Sequence, residues 1–231
     1  MTTELVTFDC AETLVAVDWN PGQFAVDCAK EAGLSLDEQV ARETYDRMLG
    51  TRWLEYRQIN CTRDHEACDL FWREMTRDWL NRSGAGEAHL ESVLEAAERL
   101  MYGPGSRVFR LFEDVVPVLD ALDARGVPAA VLSNWDYSLH KVLRSLGVYD
   151  RFRFVFASLE EGIEKPEPEF FNRLLSACGA KPAAVLHVGD DPIADIQGAR
   201  GVGMRALLLD RSRSAREGNI IPNLAHVLDD L

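Results

Sequence analysis

Residues 184–209 read AVLHVGDDPIADIQGARGVGMRALLL. Ala184 to Val188 is a short apolar run of strand length that ends on Gly189-Asp190-Asp191. Pro192 to Arg200 then has helical character, with proline at its first position, where its missing N–H costs nothing. Met204 to Leu209 is a second apolar run. Strand, helix and strand within 26 residues form a βαβ unit, which predicts parallel pairing. Gly201-Val202-Gly203 precedes a strand instead of following one, so it is not a dinucleotide-binding turn.

Working outward, the same texture continues. Residues 128–133 (PAAVLS) predict a buried strand, Asp136 to Leu146 a helix, Arg153 to Ala157 a strand, and Pro168 to Cys178 a helix. Near the N-terminus, Glu4-Leu-Val-Thr-Phe-Asp9 predicts a strand ending in a carboxylate. From about residue 20 to 102 the pattern changes to helix after helix. Asn20-Pro21 and Asp37 are helix starts, and Cys68, Phe71, Trp72, Met75 and Trp79 follow helical spacing. Gly103-Pro104-Gly105 ends the block. The expected fold is α/β: a Rossmann-like parallel sheet with helices on both faces (residues 1–16 and 104–231), interrupted by an α-helical cap domain at 17–103.

Composition narrows the function. The chain has 231 residues, 47% of them hydrophobic, and a formal net charge of −13. Such a surface repels nucleic acid and anionic lipid, so neither is expected as a partner. No apolar run reaches the length of a membrane span and the first residues lack a signal-peptide pattern, so a cytoplasmic location is the expectation. Five cysteines without a C-x-x-C pair read as reduced thiols. Cys61, His65 and Cys68 do not make a four-ligand zinc set.

In a parallel sheet, ligands meet the carboxyl ends of the strands. Those ends carry Asp9, Ser133-Asn134, Lys165-Pro166 after a loop, and Gly189-Asp190-Asp191. Crowded carboxylates repel one another, and a hard cation with oxygen ligands, Mg²⁺, resolves this beside a phosphate. Lys165 also helps to keep Asp9 ionised, and Ser133 can donate to a phosphoryl oxygen. Asp191 is placed to cap the following helix. Asp195, one turn in, can reach back to the site or orient Lys165.

Four motifs stand in order: Phe8-Asp9-Cys10-Ala11-Glu12-Thr13-Leu14, Leu132-Ser133-Asn134, Lys165-Pro166-Glu167-Pro168, and Gly189-Asp190-Asp191 followed by Asp195. This arrangement resembles the haloacid dehalogenase superfamily, and residues 133–147 (SNWDYSLHKVLRSLG) are similar to its dehalogenase-like domain-containing branch. The resemblance implies that Asp9 is a nucleophile that becomes phosphorylated. It implies Mg²⁺ held by Asp9, the carbonyl of Ala11 and Asp190, with Ser133, Asn134, Thr13 and Lys165 around the phosphoryl group and Asp191 and Asp195 in support.

One position departs from that pattern. Family phosphatases carry a second aspartate two residues after the nucleophile, where this chain has Ala11. Loss of such an acid-base group costs about 10²–10⁴ in rate. Glu12, next in the chain, is a weak substitute because adjacent side chains point differently. The leading expectation is a phosphatase of small phosphorylated metabolites. A non-catalytic phospho-ligand-binding protein, a haloacid dehalogenase and a phosphonate-cleaving enzyme remain as alternatives. Among other features, Cys10 reads as a buried apolar residue, Trp19 and Trp53 as pocket walls, and Arg52 and Arg57 as partners of a helical neighbour such as Glu55 or Glu43.

Overall fold

A computed structural model describes residues 3–231. The chain divides into two compact units, one of residues up to Ala16 together with Arg110–Leu231, the other Val17–Phe109.

The first unit is built on a parallel sheet. Its strands are β1 (Leu5–Phe8), β4 (Ala129–Ser133), β5 (Phe152–Ala157), β6 (Val185–Gly189), β7 (Arg205–Leu209) and β8 (Ile220–Ile221), in the order β5-β4-β1-β6-β7-β8. Two short strands, β2 (Val15–Val17) and β3 (Phe109–Leu111), pair separately. Strand β1 lies centrally, with Phe8 opposite Val131 of β4 and Val188 of β6. The carboxyl ends of β1, β4 and β6 therefore meet at one edge. Strands buried on both faces need near-continuous apolar sequence, and β1, β4 and β6 are buried at every position. Phe170, Phe171 and Leu174 of the helix Pro168–Cys178 pack with Leu5, Leu132 and Ile196 on this sheet. Each such large apolar side chain, fully buried, contributes about 1.5–3 kcal/mol.

The five expected long strands are all present, each within about two residues of its expected bounds, the usual error of pattern reading. Among the described residues, elements outside the expectations include the helix Val115–Ala124, the short sheet strand β8 and the 3₁₀ helix Leu224–Asp230. One element differs in kind. Pro192–Gln197 is π-helical, and only Gly198–Gly201 is α-helical. Asp191 caps the start by accepting from Ile193 N (2.7 Å) and Ala194 N (2.8 Å). The widened turn then sends Ile196 N to Asp191 O, at 3.2 Å. Such insertions often mark functional sites, and this one holds Asp195.

The second unit is helical: α1 (Pro21–Glu31), α2 (Glu38–Asn60), α3 (His65–Arg82) and α4 (Leu90–Tyr102). Asn20, Asp37 and Asp64 each cap a helix by accepting from the backbone N–H three residues on, a device worth about 0.5–2 kcal/mol each. Met75 and Trp79 of α3 are fully buried, and Trp79 Nε1 donates to Ala41 O at 2.8 Å. Gly103 follows the last helix, and the unit continues to Phe109. Trp19 and Trp53 are 38% and 41% exposed. Arg52 donates twice to Glu55, both at 2.9 Å. Among the described residues, no helix is long and apolar enough to cross a membrane.

Candidate active site

Asp9 sits just past β1, buried, with its N–H donating to Val188 O of β6. Two donors meet its carboxylate at Oδ1. Ser133 Oγ, at the end of β4, donates at 2.9 Å, and Lys165 Nζ donates at 2.5 Å. Lys165 is itself buried, and its ammonium also donates to Asp195 Oδ1 at 2.5 Å. Burying a lysine without partners is very costly. Here two carboxylates share it. Burial alone would lower the Lys165 pKa, but the Asp9 and Asp195 charges outweigh it and hold it above its ordinary value.

Asn134 fixes the lysine from behind. Its Nδ2 donates to Lys165 O (2.9 Å) and its Oδ1 accepts from Lys165 N (2.8 Å). This reciprocal pair occupies both ends of the amide. Asn134 thereby holds the backbone of Lys165.

Asp195 is the most fully coordinated carboxylate of the site. Oδ1 takes Lys165 and lies 3.1 Å from His187 Nε2, and Oδ2 accepts from Asp191 N at 3.0 Å. Against the upward pull of burial, the His187 hydrogen bond and the Lys165 charge hold its pKa below the usual carboxylate range. Asp190 has the opposite balance. Partial desolvation, then the Asp9 and Asp195 charges, push it up to about 6, although Thr13 Oγ1 donates to Asp190 Oδ1 at 3.2 Å.

The loop after Asp9 turns tightly. Leu14 N and Val15 N both donate to Cys10 O, and Glu12 adopts a left-handed φ of 55°. Arg211 braces this loop by donating to Thr13 O (2.8 Å) while pairing with Asp114 (2.9 Å). Glu12 and Asp190 line an open depression of about 470 Å³ with Pro192, Leu208, Leu209, Asp210 and Arg211.

Ligand oxygens of Asp9, Asp190 and Asp195 lie within 4.8 Å of one another. Asp195 is already committed to Lys165, His187 and the Asp191 amide. Asp191 is committed as a helix cap. That leaves Asp9 and Asp190, with the backbone carbonyl of Ala11 nearby in sequence, as the hard oxygen donors. Burial raises the Asp190 pKa first, and the neighbouring Asp9 and Asp195 charges add to it. A divalent cation with oxygen preference fits these residues.

Sequence reasoning did not single out Thr7, His187, Arg211 or Asp114. Thr7 and His187 carried a signal, since each is a polar residue within an apolar strand run. Arg211 and Asp114 carried none.

A parallel sheet with a lysine-bound aspartate and an acidic cluster at its carboxyl edge defines a class of Rossmann-like α/β proteins. A family model described as haloacid dehalogenase-like hydrolase matches residues 3–203, and the chain belongs to that family. It is 28% identical to human haloacid dehalogenase-like hydrolase domain-containing protein 3, over 98% of this chain and 93% of the relative. It is 33% identical to the ribulose-1,5-bisphosphate 5-phosphatase of Halopiger xanaduensis, over 83% of this chain and 77% of the relative. Among solved structures, a 2-haloacid dehalogenase from Pseudomonas syringae pv. Tomato superposes with a TM-score of 0.67 at 25% identity, covering 99% of this chain and 97% of that one.

Proposed function

We propose that this hydrolase is a magnesium-dependent phosphatase of small phosphomonoesters, acting through an aspartyl phosphate at Asp9. One observation carries the reading: a buried carboxylate is held between a hydroxyl and an ammonium, with Asp190 near enough to share a cation. Asp9, Asp190 and the Ala11 carbonyl are the residues that would hold Mg²⁺. When bound, the ion neutralises charge on the phosphoryl oxygens as a Lewis acid.

The residues of the chain divide the remaining work. A carboxylate oxygen of Asp9 bonds to phosphorus while the bond from phosphorus to the ester oxygen breaks, and the electron pair leaves with that oxygen. Lys165 and Ser133 stabilise charge on the transferring group. The methyl group of Ala11 has no proton to give, so the departing oxygen takes one from water. Water then attacks the phosphorus of the aspartyl phosphate, inorganic phosphate departs, and Asp9 is regenerated. No base two residues after Asp9 assists this step, so it is slow. A cytoplasmic site of action goes with the free thiols.

The test is phosphate release from p-nitrophenyl phosphate with Mg²⁺, in the native chain and in Asp9→Asn. Release that Asp9→Asn abolishes supports the reading. Binding of inorganic phosphate without release in the native chain would instead favour the non-catalytic alternative that Ala11 raises. Halide release from a 2-haloacid would favour a dehalogenase.

A further inference from the structure

Thr7 and His187 are both fully buried and stand opposite each other in the central strands β1 and β6. Thr7 lies in β1 two residues before Asp9, which follows directly on the strand. Thr7 Oγ1 is 2.8 Å from His187 Nδ1, and the other ring nitrogen, Nε2, is 3.1 Å from Asp195 Oδ1. An ionised carboxylate only accepts, so Nε2 carries a proton. Asp195 in turn binds Lys165, and Lys165 binds Asp9. Five side chains thus form one hydrogen-bonded line from the middle of the sheet to the nucleophile.

Stability does not require this line. A hydrogen-bonded buried pair replaced on both sides by apolar groups of similar shape is commonly neutral or better. The ring is also held mechanically, since Phe171 packs edge-on against it at 5.6 Å between centroids. A polar pair kept in an otherwise apolar strand layer therefore has a task at the end that leaves the core, which is Asp195.

We propose that Thr7 and His187 are positioning residues, which fix Asp195 so that the Lys165 ammonium stays on Asp9 and on the transferring phosphoryl group. What Lys165 does there rests on the phosphatase reading; how it is held does not. Because they act through Asp195 and Lys165, their loss lowers turnover more than substrate binding.

The main variant is the double change Thr7→Val with His187→Leu, which replaces both polar groups at once. It should fold and melt close to the native chain, because Asp195 keeps Lys165 and the Asp191 amide. Its kcat on p-nitrophenyl phosphate should fall about 10–100-fold, the usual range for groups that orient a directly acting one, with KM little changed. His187→Gln, whose amide can still donate to Asp195, should recover part of the loss. Should the double variant not fold, Thr7→Val alone carries the same test with a smaller drop.

Two signals need no turnover. Imidazole ¹H–¹⁵N spectra of the native protein should show the His187 proton on Nε2. The Lys165 ammonium should give a sharp ¹⁵N signal in the native chain that broadens in the variants. A folded variant with native kcat, an Nε2 without a proton, or an unchanged ammonium signal overturns the inference. A native chain silent toward phosphoesters overturns the phosphatase reading alone, and the two spectra then decide the positioning role.

Discussion

A Cβ placed on Gly189 would stand 2.1 Å from Cγ of Asp195. The glycine that ends β6 is therefore the space into which the Asp195 carboxylate folds back. That carboxylate cannot step aside, because Lys165, His187 and the Asp191 amide hold both of its oxygens. Gly189→Ala should destabilise the chain by about 1–3 kcal/mol, the scale of overpacking in a tight site. It should also reduce phosphatase turnover. A urea denaturation midpoint equal to the native one would mean that the turn yields freely, and that Asp195 is less fixed than its bonds indicate.

Ala11 sets the second expectation. With no acid two residues after Asp9, an aryl oxide should leave far more readily than an alkoxide. Aryl phosphates should outrun alkyl phosphates in kcat/KM. Ala11→Asp should raise alkyl phosphate turnover by about 10²–10⁴, the contribution of one acid-base group. Equal rates on both substrates in the native chain, with no gain in Ala11→Asp, would show that another group already donates the proton. Glu12→Gln would then be the variant to measure, since Glu12 lies beside Asp190 at the open depression.

The cation is tested by removing it and by removing a ligand. A chelator should abolish phosphatase activity, and added Mg²⁺ should restore it. Asp190→Asn should raise the Mg²⁺ concentration for half-maximal activity by about tenfold or more, as loss of even an orienting partner costs 10–100-fold. Full activity in the chelator would contradict the proposed role of Asp9 and Asp190 as cation ligands.

The thiols differ in reactivity for a stated reason. The thiolate is the reactive form, and burial pushes Cys28 up to about 12 and Cys10 well above the usual thiol range. Raising the pH toward 8.5 therefore ionises neither. Cys61 is exposed. Titration of the native protein with a thiol-specific disulfide reagent should show one fast thiol, lost in Cys61→Ser, a slower one at the half-buried Cys178, and the buried Cys10, Cys28 and Cys68 only on unfolding. Fast reaction at Cys10 would contradict its burial.

The order of strands and helices was legible because it depends on local pattern. Apolar runs of five or six residues ending on Asp9, Ser133 and Gly189 specify strands buried on both faces, and the carboxyl-edge rule then brings their ends together without coordinates. Asp191 as a cap followed from local helix chemistry, and the spacing of Asp195 one turn on left it to reach the site or to orient Lys165. Tertiary structure decided the rest. It placed Asn134 on the backbone of Lys165, because a loop 31 residues downstream folds against it. It joined Arg211 to Thr13 across 198 positions. It widened the turn at Pro192–Gln197, and it paired Thr7 with His187 through the register of β1 on β6. Hydrophobic period is written in neighbouring residues, whereas a hydrogen bond between distant side chains depends on the register and packing that only the folded chain supplies.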